Sequence, residues 1–153
     1  MRHGEAAAGE HDERRPLTAA GRAAIERVAQ RAATARFRPR AIYHSGMLRA
    51  EQTAEILARH LGVAEHVQAR EGLQPNDAVL PVARWLLDQA DEAAAIALVG
   101  HLPSLDRLAS LLLVGDPQAQ VLNFEPGTLV KLAPTEAGSS SFRVWWMLAP
   151  GVV

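Results

Sequence analysis

The sequence contains no cysteine, and only one of its 16 basic residues is a lysine, Lys131. Without cysteine the chain can form neither disulfides nor thiolate metal sites, and it has no cysteine nucleophile. The other basic residues are arginines, but the formal net charge is -1, which argues against nucleic acid as a partner. Long apolar runs are missing too, because AAAIALVG and LASLLLVG are far shorter than the ~18 residues of a membrane span.

The composition that remains is typical of a globular domain. Hydrophobic residues make up 48% of the 153 residues and charged residues 22%, which suits one folded unit with its own core. The first residues lack the apolar core of a signal peptide. We therefore expect residues 1–153 to form a single cytoplasmic domain that binds neither membrane nor nucleic acid.

Apolar periodicity predicts strands that alternate with helices. Helices are expected over residues 19–36 with Thr18 as N-cap, from Arg49 to Gly62, from Pro81 to Ala90, and after Pro103. Strands are expected over residues 41–45, 66–70, 95–100, 128–133 and 142–148. This order predicts an α/β fold whose mostly parallel sheet is covered by helices. The last two strands, joined by the turn EAGSSS, should form an antiparallel pair.

Polar residues follow two of the predicted parallel strands. Ser45 ends the strand AIYHS and Arg49 opens the helix behind it, while His101 comes directly after the strand AIALVG. Ligands of open sheets lie outside the carboxyl ends of the strands, so these side chains should meet at one edge. Arg2 and His3 would join them there if they follow a strand.

Two arginines, two histidines and nearby helix N-termini suit a phosphoryl group as ligand. Guanidinium groups donate to its oxygens in pairs, and helix N-termini attract anions. Arginines beside His3 would disfavour its protonation, which keeps the imidazole neutral and nucleophilic. These residues therefore predict phosphoryl transfer through a histidine.

Four motifs of the chain resemble those of the histidine phosphatase, or phosphoglycerate-mutase-like, superfamily. They are RHGEA, RPLTAAG, SGMLRAEQTA and GHLPSL, in family order over the first two-thirds of the chain. The nearest resemblance is to the small SixA-type phosphohistidine phosphatases, which implies a Rossmann-like three-layer fold.

The resemblance also implies roles for individual residues. His3 would attack phosphorus, and Arg2, Arg49 and His101 would hold the phosphoryl oxygens. Candidate substrate contacts within the same motifs are Gly4, Arg15, Ser45 and Leu102. Gly4 should let the backbone come close to phosphate. No cofactor and no metal are implied.

The chain departs from the family pattern at two places. Ser45 is followed by Gly46 where the family usually has Ser-Pro, so that loop should be more mobile. Only Met1 precedes Arg2, where family members carry a strand. We therefore expect the first strand to be missing or truncated, with about five further aliphatic residues belonging before Met1. The strand leading to RHG should lie between AIYHS and AIALVG.

A general acid is harder to assign than the nucleophile. Glu5, Glu71 and Asp77 are candidates, and the last two lie roughly where larger relatives supply the acid. Ester cleavage needs such a group for its poor alkoxide leaving group. A phosphohistidine substrate does not, because its imidazole leaving group has a pKa near ~6.5. The preferred function is therefore hydrolysis of phosphohistidine on a protein, such as a histidine-containing phosphotransfer domain.

Other functions stay open. The chain could hydrolyse a small phosphate ester or anhydride with Glu71 or Asp77 as acid, or bind phosphate without turnover. A metal site of His3, His44 and His101 is less favoured, because no carboxylate shares a ligand-like spacing with them. The remaining histidines should be surface or packing residues. Trp145 and Trp146 alternate along a strand, so one ring should pack in the core and the other face solvent.

Overall fold

The computed structural model describes residues 1–89, 95–136 and 139–152. The helices are α1 (Ala19–Thr34), α2 (Leu48–Leu61), α3 (Val79–Asp88) and α4 (Ser104–Val114). The strands are β1 (Ala41–His44), β2 (Val67–Ala69), β3 (Ile96–Val99), β4 (Leu129–Pro134) and β5 (Phe142–Leu148). Short 3₁₀ turns span Asp12–Arg14, Ala64–His66 and Pro150–Val152. Ala90, at the end of a predicted helix, and residues 137–138 of the turn EAGSSS lie outside the described residues.

The predicted elements agree with the observed ones to within a few residues. Thr18 caps α1, its hydroxyl accepting a hydrogen bond from the Gly21 N–H at 2.8 Å. The helix ends before the predicted residue 36 because Arg36 takes a left-handed backbone with φ 56°. Gly62 ends α2 in the predicted left-handed conformation, with φ 71°.

The strands form two sheets. A parallel sheet has the order β2-β1-β3, with Ile42 opposite Val67 and Ala97. An antiparallel pair is made by β4 and β5, with an irregularity between Lys131 and Leu132. The predicted fold class, α/β with a parallel sheet and a C-terminal antiparallel pair, is confirmed.

Helices cover both faces of the parallel sheet. Successive strand residues point to opposite faces, and two buried clusters divide accordingly. Ile42 and Val99 pack with residues of α1 and α2, such as Ile25 and Leu57. Residues packed in the second cluster, with α3 and α4, are Leu73, Val82, Leu108, Tyr43 and Leu98. This arrangement is the predicted three-layer fold.

The first residues of the chain lie along β3. Gly100 N–H donates to the Met1 carbonyl at 3.1 Å, and His3 N–H donates to the Gly100 carbonyl at 3.1 Å. On the opposite side Arg2 N–H donates to the Thr128 carbonyl, just before β4, at 3.0 Å. Met1 to His3 therefore join the parallel sheet to the C-terminal pair.

This placement corrects the predicted strand order. The segment leading to RHG was expected between AIYHS and AIALVG, but β1 and β3 pair directly over four residues. The segment instead uses the other edge of β3, because the first edge is already paired with β1. Local hydrophobic pattern carries no information on which strands become neighbours.

The C-terminal pair exposes part of its apolar surface. Trp146 packs against the core and meets Phe37 edge-to-face, with ring centroids 5.6 Å apart. Trp145 is 57% exposed, so the predicted division of the two rings is confirmed. None of the helices in the described part of the chain is both long and apolar enough to cross a bilayer.

Candidate active site

The site lies at the carboxyl ends of β1 and β3, where parallel strands deliver side chains to a common edge. Ser45 follows β1, and Gly46 then turns the chain with φ 83° into α2, which carries Arg49 in its first turn. The pyrrolidine ring forbids proline this positive φ, so the Ser-Gly backbone here differs from the Ser-Pro of the family pattern. The greater mobility expected of this loop stays a prediction.

His3 stands at the centre of the site with both ring nitrogens engaged. Its Nδ1 lies 2.6 Å from the Gly4 carbonyl oxygen, and because that oxygen can only accept, Nδ1 carries the hydrogen. Its Nε2 accepts a hydrogen bond from Arg49 Nε at 3.3 Å. The lone pair of the neutral ring is therefore on Nε2 and faces the cationic side of the site.

Burial and charge keep His3 neutral. Desolvation is the main cause that lowers the pKa of His3 to about 4, and the positive charges of Arg49, Arg2 and Arg15 act in the same direction. The hydrogen bond to Gly4 opposes the shift without cancelling it. The neutral imidazole predicted from the neighbouring arginines is thus reproduced, although burial contributes more than they do.

His101 is the second imidazole of the site and is almost completely buried. Its ring centroid lies 4.7 Å from that of His3, and its Nε2 lies 2.7 Å from Ser45 Oγ. Burial, followed by the charges of His3 and Arg49, lowers the pKa of His101 to about 3. Its Nδ1 is buried and has no hydrogen-bond partner within the described ranges.

Arg49 is buried, with 5% of its surface exposed, and each of its three guanidinium nitrogens donates a hydrogen bond. Nε donates to His3, Nη1 to the Asp12 carbonyl at 2.6 Å, and Nη2 to Asp12 Oδ2 at 3.0 Å. The same Nη2 lies 3.2 Å from the sulfur of Met47. Arg49 is therefore held in one orientation, with its Nε edge towards the nucleophile.

Asp12 joins two of the arginines. Its Oδ1 accepts from Arg15 Nη1 at 2.9 Å while Oδ2 accepts from Arg49. These hydrogen bonds, the one from Arg49 first, hold the pKa of the Asp12 carboxyl below its usual value. Arg15 Nε also donates to the Ala7 carbonyl at 2.7 Å, so the segment from Ala7 to Arg15 is attached to the edge of the site.

Arg2 approaches the site from the other side. Its Nη1 donates to the Phe124 carbonyl at 2.7 Å, and its Nε is buried without a hydrogen-bond partner among the described residues. The structure thus brings together the predicted residues Arg2, His3, Ser45, Arg49 and His101. Arg15 lies at the margin, linked through Asp12.

Known proteins with this arrangement are found by comparison of sequence and structure. The family model of the histidine phosphatase superfamily, branch 1, matches residues 1–78, which is 78 of 153 residues. The chain belongs to this superfamily. The match covers RHGEA, RPLTAAG and SGMLRAEQTA, so three of the four motifs that carried the resemblance lie inside it.

Individual relatives support the SixA-like fold of this superfamily member. The protein histidine phosphatase SixA, complexed with tungstate, has a TM-score of 0.87 and 26% identity, over 99% of this chain and 95% of that one. The protein of Agrobacterium tumefaciens assigned as phosphohistidine phosphatase SixA has a TM-score of 0.80 and 27% identity, covering 98% and 95%. The resemblance to SixA proteins is thereby confirmed.

One relative found by sequence comparison matches a smaller part of the chain. An uncharacterized protein of Picosynechococcus sp. is 37% identical over 102 residues, which are 66% of this chain. The chain thus spans 61% of the length of that curated relative.

Close packing explains why position 4 is a glycine, and the motif alone does not show this. A Cβ on Gly4 would lie 2.9 Å from Ile25 Cγ1 and 3.2 Å from the Gly21 carbonyl. Its N–H donates to Thr53 Oγ1 at 3.1 Å, and that hydroxyl donates to the Arg49 carbonyl at 2.7 Å. Gly4 therefore seats the RHG segment against α1 and α2, and its approach to phosphate stays a prediction.

The other predicted residues lie in two grooves that flank the histidines. Glu71 and Asp77 line the same groove as Ser45, and Asp77 Oδ2 accepts from the Gln74 N–H at 2.9 Å. Leu102 lines a second groove with Phe124, on the side of Arg2. Glu5 is exposed beside the start of α1. No hydrogen bond joins Glu5, Glu71 or Asp77 to His3 in the described part of the chain.

Metal binding finds no support in the described residues, which hold no group of three or more histidine or acidic side chains able to bind an ion. His44 is buried beside the site, but its Nδ1 accepts from the Gly46 N–H at 3.2 Å and thus stabilises the turn into α2.

Two polar residues of the site, Asp12 and Thr53, were not predicted from the sequence. Asp12 precedes Arg15 by three residues, a spacing that places both on one side of a helical turn. Thr53 follows Arg49 by four residues, which lets its hydroxyl reach the Arg49 carbonyl. Both spacings are visible in the sequence, but their connection to His3 is not.

Proposed function

We propose that this protein is a phosphatase that hydrolyses phosphohistidine on another protein, with His3 as the residue that is transiently phosphorylated. The observation that carries the proposal is the neutral, oriented imidazole of His3, whose pKa is lowered to about 4. A neutral Nε2 directed towards arginine and a second histidine is what nucleophilic attack on phosphorus requires.

The geometry supports the following order of events. Substrate binding draws the Arg49 Nε–H away from His3 Nε2 to a phosphoryl oxygen, which frees the Nε2 lone pair. His3 Nε2 then attacks phosphorus and forms a bond to it, while the bond from phosphorus to the substrate imidazole breaks. The substrate imidazole leaves as a neutral ring whose other nitrogen carries a proton. Water then hydrolyses the phosphorylated His3 and releases phosphate. The Gly4 carbonyl, 2.6 Å from Nδ1, keeps the ring tautomer fixed and stabilises the positive charge that the ring gains on phosphorylation.

The cationic groups around His3 would stabilise charge on the phosphoryl oxygens. Arg49 already directs Nε at His3 Nε2, the place where phosphorus has to arrive. Arg2 has a buried Nε without a partner among the described residues. Arrival of a dianion would raise the pKa of His101 from its value of about 3, because opposite charge favours the protonated ring. His101 could then donate to a phosphoryl oxygen.

The absence of an acid at His3 favours phosphohistidine over alkyl phosphates. Neither Glu71 nor Asp77 hydrogen-bonds to His3 or His101 in the described part of the chain. An imidazole leaving group departs with little help, whereas an alkoxide needs a proton. The names of the SixA structures, a protein histidine phosphatase and an assigned phosphohistidine phosphatase, support the same substrate class. A histidine-containing phosphotransfer domain is one such partner.

A second candidate is a phosphatase for small phosphate esters or anhydrides. It is favoured by one observation: Glu71 and Asp77 line the groove that opens at Ser45, so an acid could reach a substrate that lies there.

A substrate panel separates the two candidates. A phosphohistidine peptide, an aryl phosphate and an alkyl phosphate should be hydrolysed in decreasing order of leaving-group quality, with the alkyl ester slowest. Activity should survive a chelator. Efficient alkyl ester hydrolysis that Glu71→Gln or Asp77→Asn abolishes would establish the second candidate instead, and no turnover of any substrate would reduce the protein to a phosphate-binding module.

A further inference from the structure

A groove leaves the site between the end of β2 and the start of α3. It encloses about 740 Å³, which is the size of a typical ligand pocket. Ser45 is one of its lining residues, and Ser45 Oγ is 2.7 Å from His101 Nε2, so Ser45 connects the groove to the histidines. The polar residues that line the groove also include Arg70, Glu71, Gln74 and Asp77.

Arg70 is held in this groove by aromatic rings. Its guanidinium carbon lies 3.6 Å from the centre of the Trp85 ring and 5.9 Å from that of Tyr43. The two rings meet edge-to-face, with centroids 5.1 Å apart. The Arg70 N–H also donates to the His44 carbonyl at 2.8 Å. A guanidinium that lies over a ring keeps its N–H groups in its own plane, so they remain free to donate sideways.

Arg70 has no anionic partner in the described part of the chain. Within the described residues, no carboxylate lies at ion-pair distance from its guanidinium, and its buried Nε has no hydrogen-bond partner. Two acids line the same groove without pairing with Arg70: Asp77 accepts from the Gln74 N–H, and Glu71 is exposed. The two Nη groups of Arg70 make no hydrogen bond within the described residues, and of its side-chain nitrogens only Nε is buried without a partner. The Nη groups are therefore the donors that an external acceptor would meet.

We propose that Arg70 binds a carboxylate of the phosphorylated protein, so that the groove selects an acidic side chain close to the phosphohistidine. This inference rests on the proposed function. A carboxylate fits better than a second phosphate, because Glu71 and Asp77 line the same groove and would repel a dianion more strongly. Arg70 is thus a specificity-determining residue, remote from the bond that breaks.

The test compares two peptides within each variant. Each carries one histidine phosphorylated with phosphoramidate, flanked on both sides by two glutamates in one peptide and by two alanines in the other. The wild-type protein should prefer the glutamate peptide roughly tenfold in kcat/KM, mainly through KM. Arg70→Gln should lose this preference. Partial unfolding of a variant lowers both rates equally, so it cancels in the ratio.

Two further variants sharpen the result. Arg84→Gln removes an equal charge from an exposed position of α3 and should keep the full preference. Arg70→Glu should reverse it towards a lysine-flanked peptide. A glutamate preference that persists in Arg70→Gln, or one that Arg84→Gln removes equally, overturns the role of Arg70. If wild-type protein hydrolyses the two peptides equally well, the groove proposal alone is wrong. If it hydrolyses neither peptide, the proposed function fails and the groove proposal with it.

Discussion

Arg49 and Arg70 follow neighbouring strands of the same sheet, yet their hydrogen bonding is opposite. Arg49 comes after β1, is buried, and donates to His3 and twice to Asp12. Arg70 comes directly after β2, stacks on Trp85, and has no acidic partner among the described residues. The site therefore has one arginine whose three guanidinium nitrogens all donate within the protein and one whose guanidinium makes no hydrogen bond among the described residues.

The difference corresponds to two kinds of task. A group that stabilises charge on the reacting atoms must be oriented before the substrate arrives. A group that selects a partner must keep free donors until that partner is bound. The comparison predicts that changes near Arg49 affect turnover and phosphate binding, whereas changes at Arg70 affect the choice of substrate.

The largest expected effect on turnover is that of removing His3, the nucleophile next to Arg49. His3→Ala should lower turnover on the order of a thousandfold or more, because no other group can accept the phosphoryl. Rapid quenching of the wild-type protein with labelled substrate should trap phosphate that is stable in alkali and lost in acid. The exposed His66→Ala should trap it normally. Equal trapping on His3→Ala would move the nucleophile to another residue.

The buried histidines should make stability depend on pH. Their pKa values are about 4 for His3 and about 3 for His101, against about 6.5 in the unfolded chain. Between pH 6.5 and 4 the unfolded state therefore binds more protons, so the free energy of unfolding falls as the pH falls. With about 1.4 kcal/mol per pKa unit, the loss should be on the order of a few kcal/mol.

Urea unfolding at pH 7, 6 and 5 measures this dependence. His101→Asn should show a shallower dependence than the wild-type protein, because one of the two shifted groups is gone. The exposed His66→Asn serves as the matched control and should follow the wild-type protein. An unchanged slope in His101→Asn would mean that His101 is not the neutral, buried group described above.

A smaller effect is expected when the fork of Arg49 is replaced by a single ammonium. Lysine cannot donate to His3 and Asp12 in the geometry of the guanidinium. Arg49→Lys should therefore lose tenfold or more in kcat/KM, on the order of 1.4 kcal/mol. Arg59→Lys on the exposed face of the same helix is the control. Turnover of Arg49→Lys close to that of the control would reduce Arg49 to a structural residue.

The smallest expected effect comes from replacing Asp12, whose carboxylate forms an ion pair with Arg49. Asp12→Asn removes a negative charge beside Arg49 and Arg15, so orthophosphate should inhibit about threefold more strongly at low salt. A threefold change corresponds to less than ~1 kcal/mol, a small Coulomb energy because Asp12 is largely exposed to solvent, and added salt should weaken the effect. Glu13→Gln, an exposed neighbour, should change inhibition less. Weaker inhibition in Asp12→Asn would show that Asp12 mainly positions Arg49.

Much of this site was predictable from local pattern. The strand that ends at Ser45 and the strand that precedes His101 were predicted from their apolar residues. The rule for parallel strands then placed Ser45, Arg49 and His101 together. The end of α2 at Gly62 followed from the backbone freedom of glycine. These features depend on residues that are close in sequence, so periodicity and single-residue conformational preferences are sufficient to find them.

Other features depended on contacts between distant parts of the chain. The sequence by itself determined the alternation of strands and helices, the edge at which the arginines and histidines gather, and the division of Trp145 and Trp146 into one packed and one exposed ring. Only the tertiary structure decided that Met1 to His3 lie on the outer edge of β3, that Asp12 reaches Arg49, and that Arg70 stacks on Trp85. Strand order and loop paths are set by the packing of the whole chain, and the pKa of His3 depends on burial that only this packing produces.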